Sequence, residues 1–183
     1  MDKKGELPAL TQLEQIRHQF ISVIAQNMGL YNISETNGRL YGTVLFAERP
    51  MTLDEMSDAL SMSKMSMSTG IRSLMEASMV ERVWEKGVRK DLYQTEQDWY
   101  KSFTSVFVTR WREATDNNHQ AALQALKELR RLLLLCEREE HTEMIHMDID
   151  KLEGAVEYYE WLDEVILIFE SGKIFDWVPR RPS

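Results

Sequence analysis

Between residues 50 and 93 the chain carries two short amphipathic helix signals, a three-residue turn and a basic hairpin signal, an order that few folds accept. PMTLDEM at 50–56 opens the run. Thr52 and Glu55 have capping-box spacing: the hydroxyl accepts the third helical amide and the carboxylate reaches back to the cap amide. Leu53, Met56 and Leu60 form the apolar stripe of a helix ending near Leu60. Ser61, Met62 and Ser63 make the turn, and Ser63 is placed to cap the next helix. That helix turns Met67, Ile71, Leu74 and Met75 inward and leaves Lys64, Met65, Ser66, Ser68, Thr69, Arg72 and Ser73 outside. Val80, Arg82 and Trp84, then Leu92 and Tyr93, read as two strands joined by a loop with Gly87 and the cations Lys86, Arg89 and Lys90. The sum is a winged helix-turn-helix.

The chemistry follows from side-chain size and charge. Small side chains let an α-helix sit deep in a major groove about 12 Å wide. Arg72 can take a guanine edge or a phosphate, and Ser63, Ser66, Ser68 and Thr69 can donate to phosphates or bases, with Lys64 and Ser73 on the same outer side. Lys86, Arg89 and Lys90 can reach an adjacent minor groove or backbone, and the helix N-terminus favours phosphate. Net charge is −8, which by itself disfavours a nucleic-acid binder. Its distribution does not: residues 61–90 hold six Lys/Arg against three acids, whereas residues 98–183 hold 11 against 17. A basic island in an acidic chain fits one polyanion-facing surface. The competing reading is a helical protein-interaction module whose winged head meets a protein partner.

The rest of the chain is helical. It has only 8 Gly and 4 Pro, too few for a loop-rich β fold. Residues 13–30 place Leu13, Ile16, Phe20, Val23 and Ile24 on one stripe. A second helix spans about 34–47, capped by Ser34 or Thr36 and ended by Arg49 and Pro50. Its Gly38 and Gly42 lie on one face and signal either close packing or tolerated glycine. Thr95 and Asp98 match a second capping box before a helix over about 96–114. Asp116, Asn117 and Asn118 read as a break, and residues 120–139 as a Leu-rich helix. Asp148 or Asp150 opens a last helix that ends at Ser171 and Gly172. The Leu-rich helix is apolar nearly all round, so it should be buried from several sides. Two-fold pairing of the terminal helices would cover it and present two reading helices to a palindromic site. The expected fold is mainly α: a winged helix-turn-helix head at 34–97 with a small β-hairpin wing, an N-terminal dimerisation helix at 1–33, and a helical dimerisation and ligand-responsive region at 98–183.

Other chemistries find little support. One cysteine, Cys136, excludes a disulfide framework and reads as core. His141 and His146, among acids, are five apart and fit one helix face poorly as metal ligands; neither metal nor cofactor is expected. No apolar run reaches membrane-spanning length, and MDKKGELPAL lacks a signal-peptide core, so a cytoplasmic setting is expected. No P-loop, dinucleotide fingerprint, nucleophile elbow or zinc-protease motif is present, so nothing points to an enzyme.

Several stretches resemble the MarR superfamily of winged-helix repressors, in particular its GbsR branch: GRLYGT at 38–43, PMTLDEM at 50–56, MSKMSMSTGIRSL at 62–74, VWEKGVRKDLY at 83–93, DWY at 98–100, and YYEWL and FESGKIF near the end. The resemblance implies a dimeric cytoplasmic repressor of genes for choline uptake or glycine betaine synthesis. It also implies a quaternary ammonium effector such as choline or glycine betaine, held in an aromatic cage. Carried onto this chain, the cage candidates are Tyr41, Trp99, Tyr100, Phe103 and Trp111, with Tyr31 in reserve.

Overall fold

The computed structural model describes residues 6–181, with side chains from residue 9. Helix α1 (Glu6–Asn27) runs into a 3-10 turn (Met28–Tyr31), then α2 (Glu35–Leu45), α3 (Leu53–Leu60) and α4 (Lys64–Glu76). Strands β1 (Val80–Val83) and β2 (Leu92–Thr95) precede two long helices, α5 (Trp99–Leu133) and α6 (Glu139–Glu170), and the single turn α7 (Ile174–Trp177). The chain forms two compact units, divided after Ser102.

The first unit is built on close helix approach. A methyl group on Gly38 would stand 2.7 Å from Ala25 Cα and from Met28 Cγ, and one on Gly42 would stand 2.6 Å from Ile21 Cγ1. Both glycines are therefore packing positions between α1 and α2, and the tolerated-glycine alternative is excluded. Gly70 of α4 does the same against α2: its missing methyl would lie 2.7 Å from Asn37 Oδ1 and 2.8 Å from Leu40 Cδ2. Leu40, Met56, Met67, Ile71 and Leu74 fill the core between α2, α3 and α4. Ser34, not Thr36, caps α2 by accepting the Asn37 amide at 3.2 Å. The strands pair antiparallel from Val80↔Thr95 to Val83↔Leu92. Met51 adds an isolated rung by exchanging backbone bonds of 2.8 and 2.9 Å with Tyr93.

Three expectations for this unit need correction. The stripe of Leu13, Ile16, Phe20 and Val23 is exposed, and Ile24 is half-buried. What packs inward is Ile21 and Ala25 of α1 and Met28 of the 3-10 turn after it, because these oppose the glycine face of α2. Met75 is exposed, since Met67, Ile71 and Leu74 already complete the inner face of α4. Thr95 belongs to β2 and caps nothing; Asp98 alone caps α5, accepting the amides of Tyr100 and Lys101 at 3.0 and 3.1 Å.

The second unit is a hairpin of α5 and α6. The helices run antiparallel and ion pairs link them: Arg130 meets Glu153 at 2.7 Å, and Arg112 meets Asp163 and Glu170 at 2.8 Å each. Leu126, Ile145 and Ile149 are buried near the closed end, with Leu129, Leu133, Cys136, Leu152 and Val156 against them. The expected break at Asp116, Asn117 and Asn118 is absent, and α5 runs straight through it. Those residues are exposed, while Thr115, Ala122 and Leu126 continue the buried face on either side. A propensity cost of up to about 0.7 kcal/mol per residue does not stop a helix whose packing face persists. The chain instead breaks at 134–138, so α6 starts at Glu139, well before Asp148 and Asp150. Leu134 and Leu135 fall in that turn, and they and Leu132 are exposed in the single chain rather than buried from several sides. Among the described residues no helix is long and apolar enough to cross a membrane, and no group of three His, Cys, Asp or Glu is arranged for a metal; His141 and His146 are exposed on α6.

Candidate nucleic-acid interface

The helix-turn-helix is held by local bonds. At the start of α3 the capping box is complete: Thr52 Oγ1 accepts the Glu55 amide at 3.3 Å, and Glu55 Oε2 accepts the Thr52 amide at 2.7 Å. These bonds, joined by one from Arg49, hold the Glu55 carboxyl below the usual range. Ser61 takes a left-handed conformation (φ 52°), and Ser57 Oγ donates to the Met62 carbonyl at 2.5 Å, turning the chain toward α4. Ser63 caps α4 by accepting the Ser66 amide at 3.2 Å, and the two hydroxyls lie 2.9 Å apart.

With Met67, Gly70, Ile71 and Leu74 buried, α4 presents Lys64, Met65, Thr69 and Arg72 outward. Ser66, Ser68 and Ser73 are half-buried at the rims of that face. Met65 is 80% exposed in the middle of it, an apolar contact among polar ones. It was legible as outward but not as part of a recognition surface. The wing, between Val83 and Leu92, carries Lys86, Arg89 and Lys90, all exposed, around Gly87 in the positive-φ region (91°). Trp84, 81% exposed, lies just past the end of β1 at the wing's start and outside the strand that its alternating pattern implies.

The six cations of the basic island are not equivalent. Lys64 of α4 meets Asp54 Oδ1 at 2.8 Å, and Lys90 of the wing meets Asp54 Oδ2 at 2.7 Å. The two hydrogen bonds lower the Asp54 carboxyl to about 2 and raise the Lys90 ammonium. Arg82 lies 3.4 Å from Asp91 across the hairpin. Arg72, Lys86 and Arg89 make no ion pair with any described residue. Asp54, which sequence spacing marks only as a first-turn residue of α3, is thus the point where both helices and the wing meet electrostatically.

Comparison with known proteins gives this surface a context. Residues 99–176 match the model of the GbsR family transcriptional regulator, C-terminal helical hairpin. YvaV of Bacillus subtilis (strain 168) is 39% identical, over 96% of this chain and 99% of its own. The HTH-type transcriptional repressors OpcR and GbsR of the same organism are 38% and 35% identical, over 94% and 95% of this chain and 94% and 97% of theirs. The chain belongs to the GbsR family. A crystal structure of a transcriptional regulator, 17% identical, shares the fold at a TM-score of 0.51 over 85% of this chain and 98% of that one. The mainly helical winged-helix architecture of this GbsR-family chain, with its two-stranded wing, is the one its sequence implies.

In this GbsR-family chain the five rings carried over as cage candidates divide between the two units. Tyr41 lies in the first and is only 7% exposed; burial, and secondarily Tyr31, push its phenol up. Trp99 and Tyr100, also in the first, are exposed at the start of α5. Phe103 and Trp111 lie in the second, joined through Phe107, with Phe169 against Phe103 and Phe107. Phe107 is 6.1 Å from Phe103, 6.0 Å from Trp111 and 4.2 Å from Phe169, centroid to centroid. The sequence signal was present, since Phe107 shares the stripe of Phe103 and Trp111 at four-residue spacing.

Proposed function

We propose that the chain is a sequence-specific DNA-binding repressor that acts as a homodimer in the cytoplasm. The observation that carries this reading is the outer face of α4, where Met65, Thr69 and Arg72 stand clear of the core. Arg72 reads a guanine edge or fixes a phosphate, Met65 suits a thymine methyl, and Ser63, Lys64, Ser66, Ser68, Thr69 and Ser73 complete the approach. Lys86, Arg89 and Lys90 of the wing meet the neighbouring backbone or minor groove. Residues 34–97 form the reading head, while the helix within 1–33 and the hairpin within 98–183 pair the subunits. Paired heads would engage half-sites about one DNA turn apart. Selection from a random duplex pool, followed by binding at several salt concentrations, tests this. A preferred palindromic sequence with a steep salt slope is expected; absence of any preference over random DNA refutes it.

The regulated genes in this reading serve uptake or synthesis of osmoprotectants, and the effector is a quaternary ammonium compound such as choline or glycine betaine. Tyr41, Trp99, Tyr100, Phe103 and Trp111 are the candidate rings, those that the GbsR-branch resemblance implies; family membership supports the reading, and four of the rings are exposed within their own units. Exposed aromatic faces attract such a cation. Choline or glycine betaine should change tryptophan fluorescence and, by linkage, DNA affinity. Trp99→Ala or Trp111→Ala should abolish the response and spare DNA binding; variants that respond like the parent place the cage elsewhere.

A further inference from the structure

Two of the wing and α4 cations that suit DNA phosphates are already held by a carboxylate of this chain. Asp54 Oδ1 takes Lys64 at 2.8 Å and Oδ2 takes Lys90 at 2.7 Å, so one side chain on α3 ties the first residue of α4 to the wing. All three side chains remain solvent-accessible, with 39% exposure for Asp54, so a phosphate oxygen can reach either ammonium. Asp54 sits in the first turn of α3, where the helix dipole favours a negative charge. Arg72, Lys86 and Arg89 have no such partner among the described residues. The basic surface therefore holds cations open to any polyanion, Arg82 beside Asp91, and two cations that must first leave Asp54.

We propose that Asp54 is a specificity-determining positioning residue, which withholds Lys64 and Lys90 from random phosphate and yields them where a matched duplex sets a phosphate in its place. This inference rests on the DNA-binding reading above and deepens it. Lysines engaged by a carboxylate release fewer DNA counterions on binding, so random duplex meets a less cationic surface than the composition suggests. A matched duplex, docked through α4, brings its backbone to the lysines at fixed register, where phosphate displaces carboxylate.

The test compares full-length parent, Asp54→Asn and Asp58→Asn. Asp58 lies one turn further along α3, is exposed and makes no ion pair among the described residues, so its variant changes net charge without releasing a lysine. Binding is measured by anisotropy across a salt series, on a duplex selected by the parent and on a random-sequence duplex. For Asp54→Asn, random-duplex affinity should rise about three- to tenfold, the range that two surface ion pairs support. Its salt slope on random duplex should steepen by about one to two per subunit. The preference for the selected duplex should fall, while Asp58→Asn tracks the parent. Equal slopes and preferences for Asp54→Asn and Asp58→Asn overturn the inference. So does equal loss on both duplexes at unchanged slope, which makes Asp54 a purely structural residue. A parent that shows no preference refutes the DNA-binding reading itself, and this inference with it.

Discussion

Arg72 and Asp54 are opposite cases at the scale of single residues. Arg72 stands on the outer face of α4 with no ion-pair partner among the described residues, so its loss leaves no buried charge behind. Arg72→Ala should weaken a selected duplex by about 1–3 kcal/mol and random duplex by less, measured by anisotropy; equal loss on both would confine Arg72 to backbone positioning. Asp54 is legible in sequence only as a helix-start residue, because its partners lie ten and 36 positions away and no local spacing pairs them. Its folded carboxyl, lowered to about 2 from 3.8, contributes stability that is present above the unfolded value and lost as pH falls toward 2. The unfolding midpoints of the parent and Asp54→Asn should thus differ near neutrality and converge near pH 2. A gap that persists unchanged in acid would mean the ion pairs do not carry it.

Among the elements, those that sequence fixed in advance are the ones with local causes. The capping box at Thr52 and Glu55, the Ser63 cap and the hairpin around Gly87 depend on neighbours a few residues apart, and each stands as its spacing implies. The inward face of α1 and the continuity of α5 depend on distant partners, and there local pattern misled. The apolar stripe of α1 was off the packed face because Gly38 and Gly42 select the neighbouring one, with Ile24 half-buried at its edge. Asp116, Asn117 and Asn118 looked like a stop because propensity is visible in sequence and a continuing buried face is not. Close approach of α1 and α2 makes a direct prediction. Gly42→Ala, ordinarily a helix-stabilising change, should destabilise the protein by about 1–3 kcal/mol in denaturant unfolding, because its methyl would overlap Ile21. A stabilised variant would show that α1 yields at that point.

For the whole molecule, the exposed side of α1, like Leu132, Leu134 and Leu135, is left unexplained by packing within a single chain. Leu13, Ile16, Phe20 and Val23 share a face that lies outward while the other face of the same helix packs on α2. In the dimer reading this stripe is covered by the second subunit. Ile16→Glu combined with Val23→Glu should then convert the dimer to monomers in sedimentation and reduce operator affinity by at least tenfold, with helical content retained. A double variant that sediments like the parent would move the subunit contact off α1. The site was less legible than the fold: sequence put Met65 on the outer face of α4 but gave it no part in recognition, and it did not single out Phe107, between Phe103 and Trp111, as a possible cage ring.

The rung between Met51 and Tyr93 has a dynamic consequence. Each residue donates its amide to the other's carbonyl, so the segment entering α3 and the second wing strand open together or not at all. Once each is corrected for its intrinsic rate, their two amide protons should show one common protection factor, and a wing that flexes alone would split it.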